Sequence, residues 1–594
     1  LAASKDRAYV TVENNDLLRG LVVEVETGGD VTNIGSILAE RGNVTLLGAA
    51  VNQNGIARAT TSVSLNGSVR LIAKDDATTR PVPGRVDPIS GEQINEAIAR
   101  RTGSVNIGSG SLTAVDPDLE SAPAVDSQPQ PLSNIEVVAN DILVESDALL
   151  RAASGRIDLT ATPDTLVVPG EVIPPPDDTQ IVVEEGAVFD VSGSTDTVAV
   201  ERYVVEVEAR GNELRDAPLQ KDGPIRNETL LVDTRRGTPF LDFSGSAASI
   251  ERSILERTST GGDVLVSSVG SVDVASGATV DISGGQLNVT GGVVRTSMVE
   301  SICVVYYISE ASTDRIFNRV VKVFVFETER YGQIDSSDNP VLGGFQPDYV
   351  EGKDAGQFSI NSYAAKFSGD LRADVITGAF QRQLPSGGAT GLSRPFDQRP
   401  QAGTLAIRYF NDVYLGRAAQ GANDLVLDPA NIRDSGLDRL QITTTGLAKV
   451  ASAIEVRPGG ELIISSRVAE VDAPITVPGG RIAVTTEPRG GVSDSRLSVG
   501  SNARLDASAR WVNDSPLLNP AGATDLLLID GGSIELDATG DLTTVAGSSF
   551  DVSGGARLAA DGEVVAGRGG SISITSLGVD GAPTRLDFDS DVQG

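Results

Sequence analysis

Apolar and polar residues alternate along much of this chain with a period of two, in runs of five or six. In Thr279-Val280-Asp281-Ile282-Ser283 and in Ser533-Ile534-Glu535-Leu536-Asp537 every second residue is Val, Ile or Leu, a spacing that puts them all on one face of a strand. Val280 and Ile282 are expected to point inward and Asp281 to water. The runs stop at Gly, Gly-Gly, Ser-Gly or Asn-Gly, the residues that tolerate tight turns. Helical heptads are nowhere sustained.

The runs also recur. GGDVLVSSVGSVDVASGATVDISGG (261–285) lies without a gap over GGSIELDATGDLTTVAGSSFDVSGG (531–555), and GNVTLL at Gly42 is followed 25 residues later by GSVRLI at Gly67. Weaker copies are SGRIDLTA (154–161), GAVFDVSGS (186–194), GGELIIS (459–465), GGRIAVT (479–485), SNARLDAS (501–508) and GGSISIT (569–575). Short strands punctuated about every eight residues and repeating near 20 to 25 predict a coil whose units bury their apolar faces against their neighbours. The expected fold is all-β, a parallel β-helix (β-solenoid) with extra-helical loop insertions. With strands about 4.8 Å apart, roughly 20 to 25 rungs would make a rod on the order of 100 Å long.

Interruptions of the pattern divide the chain. Residues 1–301 read as rungs with Pro-rich excursions at about 74–133 and 162–179, which either leave the rod as loops or form irregular rungs. Residues 302–348 read as an aromatic-rich extra-helical excursion, and 349–594 as rungs continuing, with a loop at about 381–401. From Met298 to Arg330 there is no glycine, while Tyr306, Tyr307, Phe317, Phe324 and Phe326 cluster there. The expected role of this cluster is a mini-core packed against the coil.

Composition narrows function by exclusion. The 594 residues hold 65 glycines, more than ordinary usage, as a corner at every turn requires. A balance of 48 basic against 81 acidic residues, net -33, is the reverse of a phosphate-binding surface and argues against nucleic acid. It reads instead as an acidic coat keeping a long exposed rod soluble. Neither the glycine-aspartate nonapeptide of calcium-loaded β-rolls nor an EF-hand loop is present, so structural calcium is left unsupported and no cofactor or metal site is expected. The absence of histidine removes Ser-His-Asp and Cys-His nucleophile systems and histidine-ligated zinc. Carboxylate pairs remain open to an enzyme, but Asp75-Asp76 and Asp177-Asp178 sit in turn-like polar segments and read as solvated charges. The lone Cys303 is expected to be a buried small hydrophobe. No run of 18 apolar residues occurs, and the longest candidate, Val320 to Phe326, carries Lys322 and is strand-sized. Asn43, Asn66, Asn227, Asn288 and Asn513 stand in Asn-x-Ser/Thr sequons. No catalytic, cofactor-binding or metal residue is assigned.

Three segments, VTNIGSILAERGNVTLLGAAVNQNGIARATTSVSLNGSVRLIAKD (31–75), VYYISEASTDRIFNRVVKVFVFETERYG (305–332) and YVEGKDAGQFSINSYAAKFSGDLRADVITGAFQR (349–382), resemble the filamentous haemagglutinin-like exoproteins of bacterial two-partner secretion. The DISGG and DVSGG turns are also similar to that family. The resemblance implies a right-handed parallel β-helix exported through an outer-membrane transporter barrel and displayed on, or shed from, a Gram-negative cell. It places the secretion domain before Leu1 and any effector or anchoring region after Gly594. The expected function is a non-enzymatic structural adhesin or filament shaft that meets a surface receptor or glycan, with self-association into fibres as a further expectation. Two alternatives stand beside it: the stalk of a contact-dependent inhibition toxin, and a glycan-cleaving β-helix enzyme.

Overall fold

The computed structural model describes residues 1, 8–12, 21–25, 28–73, 75–86, 93–100, 103–125, 130, 132–162, 179–321, 323–328, 333–338, 343–382, 395–416, 420–489, 494–513, 527–559, 561–578 and 584–594. The chain is mostly β, 49% strand and 7% helix, arranged in long parallel sheets.

The largest sheet has 17 strands. Its spine is a ladder of 12: Asn43–Gly48, Ser68–Ala73, Asn134–Ala139, Arg156–Ala161, the first half of Asp263–Val274, the first half of Gln357–Phe367, Thr404–Tyr409, Arg439–Thr444, Glu461–Ser466, Arg481–Thr486, Ser533–Ala538 and Ser571–Ser576. All are parallel and in register. A second ladder starts at Asp30–Asn33 and climbs through Ala50–Gln53, Ser104–Ile107, Asp141–Val144 and Gln180–Val183. It joins the spine where two long strands, Asp263–Val274 and Gln357–Phe367, each run through both ladders with a break in register between their halves. A third ladder, from Ser36–Ala39 to Asp370–Arg372, forms a separate seven-stranded sheet. Beyond residue 404 the spine is accompanied by a further seven-stranded and a five-stranded parallel sheet. The chain visits spine, second and third ladders in order and then returns to the spine one strand further on.

The two segments aligned by sequence occupy equivalent places. Residues 263–268 and Ser533–Ala538 are both spine strands, and Thr279–Asp281 and Ser549–Asp551 both close a circuit. Alternation gives the spine its inward face: Val264, Val266, Phe358, Ile360, Leu405, Ile407, Leu440, Ile442, Leu462, Ile464, Ile482, Val484, Ile534 and Leu536 are all 0 to 2% exposed and belong to one continuous core. Burying each such side chain is worth about 1.5 to 3 kcal/mol, and none of it requires contacts beyond the neighbouring circuits.

One position explains much of the glycine. The residue just before each spine strand is Gly42, Gly67, Ser133, Gly155, Gly262, Gly356, Gly403, Asp438, Gly460, Gly480, Gly532 or Gly570. The carbonyl of each accepts the first amide of the next spine strand, as in Asp263 N to Gly155 O at 2.9 Å and Ser571 N to Gly532 O at 3.0 Å. A Cβ on Gly356 would lie 1.7 Å from Gly262 O, and one on Gly532 1.9 Å from Gly480 O. At these positions glycine is required because backbone stacks directly on backbone.

The other corners are equally regular. Between the second and third ladders Ala148, Ala187 and Ala278 close turns onto the carbonyls of Glu145, Glu184 and Ala275 at 3.2 to 3.3 Å. The third residue of each turn, Asp147, Gly186 or Gly277, has φ between 61° and 84°. After strands of the third ladder, and of the five-stranded sheet beyond residue 404, an aspartate folds back: Asp190, Asp281, Asp506 and Asp551 Oδ1 accept the amides of Ser192, Ser283, Ser508 and Ser553 at 2.9 to 3.1 Å. Asp281 is thus half-buried and bonded to its own backbone, where pattern alone had it facing water. Asx turns of this kind suit a corner.

Two long excursions leave the parallel ladders at one place. The parallel partners Thr195–Ala199 and Gln286–Thr290 precede them, and the second excursion returns through Tyr349–Gly352, antiparallel to Gln286–Thr290. Because the exits are adjacent, residues 205–241 and 299–317 share a second core, with Phe240 and Phe317 rings 5.5 Å apart and Tyr306 edge-on to Phe317 at 6.2 Å. The expected aromatic mini-core exists in this form, while Lys322 and the side chains of Phe324 and Phe326 lie outside the described residues. Cys303 is exposed, a correction to the buried position expected of it. It sits with Ile302 in the two-residue link of the hairpin Met298–Ser301 and Val304–Tyr307, both at positive φ, so the turn aims the thiol outward.

Other expectations fall as follows. Within 74–133 the backbone forms the antiparallel pair Asp75–Val86 and Gln93–Arg100, after which Ser104–Ile107 and Leu112–Pro117 rejoin the parallel ladders. The side chains of Asp75 and Asp76, residues 163–178 with Asp177 and Asp178, and residues 383–394 lie outside the described residues. Among the described residues the longest ladder has 12 strands, against the 20 to 25 rungs expected, and at about 4.8 Å per step spans roughly 50 Å. Excursions consume the chain that a regular repeat would have spent on rungs.

Candidate functional site

Among the described residues three places bear on function, and one of them is an open groove. The Asp-Ser corners are occupied by their own backbone bonds. Their fourfold recurrence marks them as scaffold.

The second place is the junction between the excursions and the parallel ladders. Arg235 lies in the link after the strand Thr229–Asp233; its Nε and one Nη reach the carboxylate of the buried Asp233 at 2.9 and 2.7 Å. The other Nη donates to Tyr349 Oη at 2.7 Å, while the Nη that bonds Asp233 also donates to Gln346 Oε1 at 3.0 Å. Tyr203 and Tyr349 both donate to Glu351, at 3.2 and 3.0 Å, and the guanidinium lies 4.8 Å from the Tyr203 ring centroid. Burial first, and then the Glu351 charge, push both phenols well above the usual tyrosine range. A charge in this position with every partner in place is a clamp. It ties residues 203–235 to 346–351.

The third place is the outward face of the spine where Gln357–Phe367, Thr404–Tyr409 and Arg439–Thr444 lie side by side. Inward residues alternate with outward ones, so Gln357, Ser359, Asn361 and Tyr363 form one outward row, Thr404, Ala406, Arg408 and Phe410 the next, and Arg439, Gln441, Thr443 and Thr445 the third. Register pairs Asn361 with Arg408 and Arg408 with Thr443. A groove of about 310 Å³ runs here, lined among others by Leu265, Gln357, Asn361, Arg408, Gln441 and Thr443, and no carboxylate lines it. Gln357 Nε2 donates to Ser359 Oγ at 2.8 Å. At one end the rings of Tyr363 and Phe410 stack 6.4 Å apart at 26°, with Phe410 54% exposed. Asn411 Nδ2 donates to Tyr363 O at 2.5 Å and Thr445 Oγ1 to Phe410 O at 2.6 Å, which holds this corner.

Arg408 differs from other cations on the same face. Arg156 pairs with Asp158, Arg439 with Glu461 and Arg481 with Glu535, at 2.6 to 2.8 Å. Arg408 is exposed and has no hydrogen bond or ion pair among the described residues. No signal in the alternation singled out this face, because Arg408 and Phe410 are two ordinary outward positions until register sets them beside Asn361 and Tyr363. Among the described residues no group of three or more cysteine, aspartate or glutamate side chains is placed to hold a metal ion, and no helix is long and apolar enough to cross a membrane. Of the sequons, Asn66 is buried while Asn227 and Asn513 are exposed.

No family model, no curated protein and no solved structure matches this chain.

Proposed function

We propose that this chain is a right-handed parallel β-helix serving as the shaft of a non-enzymatic adhesin or filament, exported by two-partner secretion to the surface of a Gram-negative cell. The observation that carries the reading is the spine of 12 strands in register with its column of glycine carbonyls. Such a column turns chain length into reach, and axial hydrogen bonds make it stiff. The right hand follows from the near-universal handedness of crossovers between parallel strands. The acidic balance, net -33, supports a rod that stays soluble while displayed. Its contact with a receptor or glycan falls on the outward face around Arg408, where amides and a cation line one groove and the stacked rings of Tyr363 and Phe410 belong to the same outward rows.

Two measurements test this. Electron microscopy of the purified chain should show rods, and beads coated with it should adhere to cell surfaces; compact particles, or beads that stay free of every surface tried, overturn the reading. Placed behind a two-partner secretion domain, the chain should reach the medium only when the matching transporter is present. A glycan-cleaving enzyme would instead release reducing sugar from polysaccharides.

A further inference from the structure

We propose that two copies of this chain pair side by side and in parallel through the outward face of the third ladder, about a twofold axis along the direction in which the strands stack. The inference does not depend on the adhesive reading above. Its first support is an apolar stripe where alternation calls for a solvated face. The strands Ile56–Thr61, Leu112–Pro117, Leu149–Ala152 and Val188–Asp190 stack in register, with Ile56 beside Leu112, Leu112 beside Leu149 and Leu149 beside Val188. All four side chains take outward positions, Ile56 40% exposed and the other three half-buried. The strand Ser36–Ala39 adds Leu38 at 55%, and the corner before it adds Ile34 at 81%. In the five-stranded sheet the residue two before each corner aspartate, the place that Val188 takes before Asp190, is Arg504 or Ser549, with Asp591 next in register. The fold itself therefore does not demand apolar residues there, and a contiguous outward patch of them marks a contact surface.

The two flanks of the stripe commit the occupant to a second copy in one orientation. On the side where the chain enters these strands stand Ile34, Asp147 and Glu185, all exposed, and neither acid has an ion pair among the described residues. On the other side, two residues beyond the stripe, stand Leu38, Arg58 and Arg151. The two arginines share the one carboxylate of Asp116, at 2.6 and 2.8 Å, which leaves a positive charge over. A twofold along the stacking direction lays stripe on stripe and exchanges the flanks, so that Asp147 faces Arg151 and Ile34 faces Leu38. A twofold across the stripe would set arginine flank against arginine flank and acid against acid, which like-charge repulsion opposes. The patch is about five strands tall, roughly 20 Å. The pair would bury less than about 1,200 Å², the size of weak contacts, so it should come apart on dilution.

The test is sedimentation equilibrium of the whole chain over a range of concentrations, with the melting temperature of each variant measured alongside. The wild type should pass from monomer to dimer and stop there, because a twofold contact closes on itself. Ile56→Gln, at an exposed side chain, should weaken pairing about tenfold by taking an aliphatic group from the interface on both copies. Phe410→Gln, equally exposed but on the spine, should leave pairing unchanged. Asp147→Arg should weaken it, and Asp147→Arg combined with Arg151→Asp in the same chain should restore it, since only the parallel arrangement brings these two positions together. A chain that stays monomeric up to about 1 mM, the weak end of specific association, overturns the inference. So does a dimer indifferent to Ile56→Gln at wild-type melting temperature, or one that the double charge variant fails to restore. Should Ile56→Gln melt early, the charge exchange alone decides.

Discussion

The molecule contains two cores built on different logic. The core of the stacked parallel ladders is made of contiguous alternating segments, each touching only its neighbours, from Val31 to Val552. The second core gathers Val205, Leu230 and Phe240 from one excursion and Val299, Ile308 and Phe317 from another. In the coil, local pattern and tertiary contact agree. In the excursions contact is set by where two exits happen to lie, and the Arg235 clamp fastens the result to the coil. Repetition therefore specifies the first core, while the second depends on long-range assembly.

The widest gap between the two regions should appear at glycine. Gly356 has Gly262 O 1.7 Å from where a Cβ would go, whereas Gly245, in the short helix Ser244–Ala247, has nothing within 4 Å. Gly356→Ala must force the stacked backbones apart, a cost of about 5 kcal/mol, at the far end of what single substitutions do. Gly245→Ala should be neutral or stabilise by up to about 1 kcal/mol through reduced freedom of the unfolded chain. Thermal unfolding of the two variants measures both. Equal effects would mean that the glycine column is not what holds the spine together.

A second contrast concerns how far damage spreads. Phe358 and Phe317 are both fully buried, one in each core. Truncation of either to Ala should cost about 4 kcal/mol. In the coil the loss should reach the strands stacked on either side, since neighbouring rungs stabilise each other. In the excursion it should stay among residues 203–250 and 298–321. Hydrogen exchange read segment by segment separates the outcomes, and spreading from Phe317→Ala into the spine would show that the Arg235 clamp makes the two cores one cooperative unit.

How much of this could be read from residues follows the same division. The strands at 263–268 and 533–538, the turns at Ser283-Gly284 and Ser553-Gly554 and the inward Val280 and Ile282 were all legible, because period-two alternation and a turn residue are local facts; the capping role of Asp281 was not. The excursion at 200–260 was not, since its strands Val204–Glu208 and Thr229–Asp233 alternate like any rung and only their antiparallel pairing sets them apart. Cys303 misled for a related reason: its apolar neighbours suggested burial, but the positive φ of Ile302 and Cys303 turns both outward at a hairpin tip. The outward groove was beyond reach, because it exists only once register stacks three separate segments.

The smallest expected effect lies at one of the two places where the glycine column is broken. Asp438 stands in the glycine position, 7% exposed, with Oδ2 accepting Ala402 N at 2.6 Å and Oδ1 3.7 Å from Arg457. Burial raises its carboxyl above the ordinary aspartate value of 3.8, and the attraction of Arg457 only partly opposes this. A carboxyl raised by folding binds its proton more tightly in the native state, so the stability it contributes is present below 3.8 and is lost as pH rises through the folded value. At pH 7 the charged form is therefore a net cost, one that the half-exposed Arg457 does not cancel. Asp438→Asn keeps an acceptor for Ala402 N and removes the charge. It should stabilise the chain at pH 7, by less than about 1 kcal/mol as expected for a substitution that leaves packing intact. The gain should shrink as pH falls and vanish below 3.8, where the aspartate is itself neutral. Melting curves of the two proteins at several pH values test the sign, and a variant less stable at pH 7 would mean that the pairing with Arg457, not the burial, decides why an acid stands among the glycines.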